Sequence, residues 1–215
     1  MQFESIIFDV DGTLWDSRAL LAEAYNEQLK SEGLPADVTA KKLRPLFGMT
    51  MTKIADGLFT DIPAPERYAL MDRCITRMDS HLEQFAGPDI GYPGLVSTME
   101  ALAEKHRLFI VSNGQKGYPQ MAAKKLGLEQ LITGYLSFGD TGTSKGQTVL
   151  RLMEQHKIES AVYVGDTQGD LEACREAGIP LIWTSFGFGQ PEEYWAKADA
   201  FADLLKLEKE KESSL

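Results

Sequence analysis

The chain has 215 residues and is 43% hydrophobic, enough to bury one core with a smaller appendage. Its net charge of -10 argues against nucleic-acid partners, which are held by basic stripes. An acidic protein also repels free phosphates at long range, so any phosphate site needs concentrated local positive charge or a cation.

In chain order, the first element is an apolar run over 5–10 that reads as a buried strand and ends in Asp9-Val10-Asp11-Gly12-Thr13. The stretch 17–85 then shows no strand pattern. It reads as helices over 17–31, 39–46, 51–58 and 65–85, followed by a Gly/Pro-rich return linker over 87–94. Four more apolar runs, 108–112, 135–138, 161–165 and 181–185, are continuous rather than alternating, as in parallel strands covered on both faces. Helical patterns separate them over 95–105, 117–126, 145–156 and 170–177, the last stopped by Gly178. Strand alternating with helix predicts a doubly wound, Rossmann-like parallel α/β sheet. Residues 1–15 and 88–215 are expected to form that core, and 16–87 a helical cap inserted after the first strand. Such an insert sits over the carboxyl edge of the sheet, where open α/β folds bind ligands. The tail from Leu204 onward is charge-rich and expected to fray.

Cys74 and Cys174 lack the spacing of a disulfide framework or zinc site and read as thiols in a reducing compartment. No basic, apolar leader opens the sequence, and no apolar run approaches the roughly 20 residues of a membrane span. A cytoplasmic protein is expected, without membrane or nucleic-acid partners, as a monomer or weak dimer. His81, His106 and His156 read as isolated surface or capping groups on helical stretches.

Asp9 and Asp11 carry the strongest chemical signal. Two carboxylates one residue apart point in opposite directions on an extended chain, until Gly12 lets the backbone turn and both can serve one site. Acids are rarely buried without a partner, so the pair suggests a metal or a reaction. Further polar strand ends are Ser112-Asn113-Gly114 and Gly165-Asp166-Thr167-Gln168-Gly169-Asp170, and Thr143-Ser144-Lys145-Gly146 opens a helix. In a doubly wound sheet these ends face one crevice.

Together these segments resemble the haloacid dehalogenase superfamily, specifically its helical-capped phosphatases of the phosphoglycolate phosphatase type. Asp9-Val10-Asp11-Gly12-Thr13 looks like its first motif, Ser112 its second, Lys145 its third, and Asp166 with Asp170 its fourth. The resemblance implies Asp9 as nucleophile, forming an aspartyl phosphate, and Asp11 as general acid and then base. It further implies Ser112, Asn113 and Lys145 as phosphate ligands. Elementary chemistry agrees, because a carboxylate is ionised near neutral pH and a neighbouring carboxyl can protonate a leaving oxygen. Several acids beside a phosphate dianion repel one another, by roughly 4 kcal/mol per pair at 4 Å and an effective dielectric of about 20. A divalent cation is therefore required, and oxygen-only ligands favour Mg²⁺. Its expected ligands are the side chains of Asp9 and Asp166 and the carbonyl of Asp11, with Asp170 acting through water.

Two departures from the family pattern stand out: Gly146 where many capped relatives carry Pro, expected to loosen the helix start, and no second acid beside Asp166. Leu46-Phe47-Gly48-Met49-Thr50 looks like the cap loop that faces substrate, with Gly48 in it and Arg44 and Lys53 as candidate anchors for a carboxylate or second phosphate. Thr13 is expected to stabilise the turn, and Trp15 to pack at the cap hinge. Gly187-Phe188-Gly189 lacks the third glycine of a dinucleotide fingerprint and reads as a loop beside the site. The first motif is no EF-hand, since its glycine comes too early and no glutamate closes the loop.

The expected function is hydrolysis of a small phosphorylated metabolite. A phosphosugar mutase, which shares both aspartates, is the alternative enzyme. A dehalogenase would lack Asp11, and a non-catalytic regulator on this scaffold usually loses one of the four acids, all present here.

Overall fold

In the computed structural model, residues 3–85 and 90–207 are described. Six parallel strands form one sheet in the order β3-β2-β1-β4-β5-β6. They are β1 (Ser5–Phe8), β2 (Arg107–Ser112), β3 (Ile132–Ser137), β4 (Ala161–Gly165), β5 (Leu181–Thr184) and β6 (Ala196–Ala198). The expected α/β class is what the chain adopts. Side chains of β1 alternate between two cores: Ile6 and Phe8 enter one, while Ile7 joins Phe109, Val111 and Tyr163 in the other. Burial on both faces is why each strand reads as an unbroken apolar run.

Four helices lie between β1 and the return to the sheet: α1 (Arg18–Ser31), α2 (Ala40–Leu43), α3 (Met51–Leu58) and α4 (Ala64–Gln84). Leu21, Tyr25, Leu70, Cys74, Met78 and Leu82 bury their inner faces in a core continuous with the Ile6 side of the sheet. The sheet helices are α5 (Leu95–Ala103), α6 (Tyr118–Lys125), α7 (Phe138–Thr141), α8 (Lys145–His156) and α9 (Gln168–Ala177). The expected domain boundary at 87/88 and the first three residues of the linker fall outside the described residues, as does the tail beyond 207.

Several expected boundaries shift for identifiable reasons. β1 stops at Phe8 because the Val10 carbonyl accepts hydrogen bonds from the Thr13, Leu14 and Trp15 N–H groups, curling the chain. β3 starts at Ile132 and stops before Phe138, where a Ser137–Asp140 capping box opens α7. α2 is one turn rather than 39–46, since the chain beyond it winds through turns to Gly48 at φ +83°. β6 has no apolar signature; it is three residues long and lies at the sheet edge. His106 is buried, with Nδ1 2.8 Å from the Phe3 carbonyl, rather than a surface group on a helix. Among the described residues no helix is long and apolar enough to cross a membrane.

Candidate active site

β1 and β4 are the neighbours across which the strand order reverses, and the crevice beyond their carboxyl ends is where such sheets bind ligands. Asp9 and Asp11 leave β1 there and Asp166 leaves β4. One oxygen each from Asp9, Asp166 and Asp170 lies within 4.8 Å of the others. All three side chains are buried, Asp166 and Asp170 at 0% exposure.

Local sequence builds each position. Thr167 caps α9 and Asp170 closes a reciprocal box, its Oδ2 accepting from the Thr167 N–H at 2.9 Å and the Thr167 hydroxyl at 2.7 Å. The same cap that starts the helix therefore fixes an acid in the site. Ser144 caps α8, its hydroxyl oxygen accepting from the Gln147 N–H, and so presents Lys145 at the first helical position. Lys145 Nζ donates to Asp9 Oδ1 at 2.8 Å and Asp170 Oδ1 at 2.6 Å. Gly146 packs this start closely against α9: a β-carbon there would strike Glu176, which accepts from both Ser144 and Gln147.

Gly12, at φ +86°, is tightly constrained, because a β-carbon there would collide with the Asp166 carboxylate. Gly12→Ala should therefore cost about 1–2 kcal/mol for the left-handed backbone alone, with further loss from displacing Asp166. A thermal melt indistinguishable from wild type would contradict this.

Burial raises the Asp9 carboxyl to about 7, with Lys145 opposing and Asp170 and Asp11 adding to the rise. Burial and the charges of Asp170 and Asp9 hold Asp166 well above the ordinary range. Asp170 goes the other way: burial would raise it, but the charge and hydrogen bonds of Lys145 and the bonds from Thr167 bring it below. Asp9 Oδ2 and Asp166 Oδ1 are buried without a hydrogen-bond partner. Two orphaned carboxylate oxygens beside a third acid make a donor set that fits a hard cation.

This cluster has a stability signature in the absence of metal. An acid whose pKa is raised by folding keeps its proton while the unfolded chain loses its own, so stability falls with rising pH. The opposite contributions, from Asp170 and lowered surface carboxylates such as Glu32, are complete by about pH 5. In EDTA the melting temperature should therefore fall from about pH 5 to 7, and added Mg²⁺ should recover it most at the upper end. A flat profile in EDTA would contradict the buried acid cluster.

Asp11 stands apart from the three-acid group. Its Oδ1 accepts hydrogen bonds from Trp15 Nε1 at 2.9 Å, the Ser17 hydroxyl at 2.7 Å and the Tyr118 hydroxyl at 2.7 Å. Burial raises this carboxyl, and the three donors oppose the rise. One oxygen is thus anchored, leaving Oδ2 as the position for a transferable proton. The metal contact expected of Asp11 is its backbone carbonyl, which these side-chain bonds leave untouched. Sequence reasoning missed Tyr118 and Ser17; Ser17 was legible only as the first residue of a helix, and in the structure it precedes α1 and its hydroxyl serves Asp11 instead of capping that helix. Trp15 is fully buried, as a hinge packing residue should be, yet its indole N–H also reaches the site.

The helical segment is shut down on the sheet. The Asn113 amide donates to the Gly48 carbonyl at 2.6 Å, so that side chain bridges to the loop between α2 and α3. Ser112 Oγ accepts from the Gly114 N–H. Arg44 Nε donates to the Phe188 carbonyl, and Phe47 packs edge-on against Phe188 at 5.2 Å. Phe188 in turn donates its N–H to Asp166 Oδ2, placing the glycine-flanked loop beside the site as expected. Two spaces result. A narrow chamber of about 50 Å³ is lined by Asp9, Asp11, Ser112 and residues of the helical segment, among them Tyr25, Ile54 and Met78. An outer groove of about 660 Å³ carries Lys145, Arg44 and Lys53.

A buried acid cluster at the switch point of a parallel sheet, with a lysine on it and a helical insert above, defines a hydrolase of the phosphatase type. The haloacid dehalogenase-like hydrolase family model matches residues 6–184, and the chain belongs to that family. It is similar to a phosphoglycolate phosphatase of Agrobacterium fabrum, 30% identical over 85% of this chain and 80% of that one. Another, from Rhodobacter capsulatus, is 24% identical over 94% of each. The crystal structure of a predicted phosphoglycolate phosphatase from Haemophilus somnus superposes with a TM-score of 0.83 at 23% identity, covering 97% of this chain and 99% of that one.

Proposed function

We propose that the chain is a Mg²⁺-dependent phosphatase of small phosphomonoesters, acting through an aspartyl phosphate on Asp9, with segment 16–87 as its cap. The observation that carries this is the pair of buried, unpartnered oxygens on Asp9 and Asp166 within a three-acid cluster that Lys145 only partly neutralises. Asp9, Asp166 and Asp170 would hold the cation, and the all-oxygen set selects Mg²⁺ over softer metals. When bound, the ion neutralises charge on the phosphoryl oxygens and keeps Asp9 ionised.

Asp9 attacks phosphorus and the ester oxygen departs with a proton from Asp11, held in place by Tyr118, Ser17 and Trp15. Asp11, now a carboxylate, takes a proton from water, which attacks the aspartyl phosphate and frees Asp9. Lys145 and the Ser112 hydroxyl hold the phosphoryl oxygens, and the closed cap keeps bulk water away during the first transfer. Besides its place in the cation's donor set, Asp170 fixes Lys145 through Oδ1. Asn113 bridges to Gly48, so its part in phosphate binding is secondary to closing the cap. The relatives named phosphoglycolate phosphatase support a small metabolite as substrate. Two buried, unbridged cysteines suit a reducing cytoplasm.

The test is inorganic phosphate release from a panel of metabolite phosphates with Mg²⁺ and with EDTA. Metal-dependent release without any added bisphosphate is expected. No release in Mg²⁺, or turnover only with a bisphosphate as in a mutase, would overturn the proposal.

A further inference from the structure

The narrow chamber contains both Asp9 and Asp11, whereas the outer groove contains neither. A leaving oxygen protonated by Asp11 must lie beside it, so the alcohol part of the substrate occupies the chamber. This step rests on the phosphatase proposed above.

The chamber has a definite chemistry. Its cap wall is built from Leu21, Ile54, Met78, Leu82 and the rings of Tyr25 and Phe47. Among the described residues, no Lys, Arg or His lines it. Its longer polar side chains are already engaged: the Tyr25 hydroxyl donates to Met71 Sδ, Asn113 to Gly48 and Gln115 to Asp79. The candidate cations Arg44 and Lys53 line the outer groove instead, and Arg44 Nε is already bonded to Phe188. A carboxylate or second phosphate in the chamber would face apolar walls and the Asp11 carboxylate with no counter-charge, a costly arrangement. The volume is about 50 Å³, and the phosphoryl group that Asp9 attacks takes part of it, which leaves room only for a short alcohol part.

We infer that the substrate is a phosphomonoester whose alcohol part is short, uncharged and largely apolar, and that esters carrying a second anion next to the phosphate are disfavoured. The preference therefore diverges from that named for the relatives.

The experiment compares kcat/KM for n-propyl phosphate and 2-phosphoglycolate, which are similar in size and differ in the carboxylate, using the full chain with Mg²⁺. Propyl phosphate should be preferred by at least about ten-fold; equal or reversed preference overturns the inference. Acetyl phosphate, which needs no leaving-group proton, separates the two levels. Its turnover with propyl phosphate inert overturns this inference alone, and its failure as well overturns the phosphatase. Met49 lies on the cap loop where the chamber meets the outer groove, lines both and is 41% exposed, so Met49→Lys should fold and bring a cation to the chamber's mouth. It should shift the ratio toward phosphoglycolate by about ten-fold or more, and an unmoved ratio counts against the chamber as the leaving-group site.

Discussion

Asp9→Asn should fold as well as wild type and turn over substrate at less than about a hundredth of its rate. An amide keeps an acceptor oxygen for Lys145 Nζ, which donates to Asp9 Oδ1, so the local geometry persists. The change also removes one negative charge from a cluster in which burial already raises Asp9 to about 7. Metal-free stability is therefore expected to hold or rise, and the affinity for Mg²⁺ to fall. Loss of turnover with an unchanged or higher melting temperature separates a chemical role from a structural one. Residual activity above that level would remove Asp9 as nucleophile.

Asp11→Asn is the second large effect. The amide oxygen can still accept from Trp15, Ser17 and Tyr118, so position is retained while the proton is lost. General acid catalysis contributes about 10²–10⁴-fold, and the loss should be greatest for alkyl esters, whose leaving oxygens are strongly basic. Acetyl phosphate should be spared in the first transfer, and slow hydrolysis of the intermediate should then appear as a burst. Unchanged rates on an alkyl phosphate would contradict the acid–base role.

How far the sequence showed this in advance varied with the range of the interaction. Continuous apolar runs marked the buried strands, because burial on both faces leaves no polar alternation, as Ile6, Ile7 and Phe8 illustrate. Strand-end placement was enough to gather Asp9, Lys145, Asp166 and Asp170, since a parallel sheet delivers all its carboxyl ends to one edge. The edge strand β6 stayed hidden because three residues reading Ala-Lys-Ala carry no pattern. Tyr118 stayed hidden for another reason: its partner, Asp11, is 107 positions away, and nothing local to a helix start in α6 reports that distance. Arg44 and Lys53 were legible as cations near the cap loop, but only the packed cap shows that they line the groove outside the chamber.

The central claim is a covalent bond between an oxygen of Asp9 and phosphorus. Crystals soaked with beryllium fluoride and Mg²⁺ report on it directly, since the fluoride complex mimics a phosphoryl group on a carboxylate. An adduct on Asp9, with Lys145 and Ser112 against its fluorines, is the outcome expected. A soaked crystal with Mg²⁺ on the three acids but no adduct on Asp9, or one on another residue, would contradict the account.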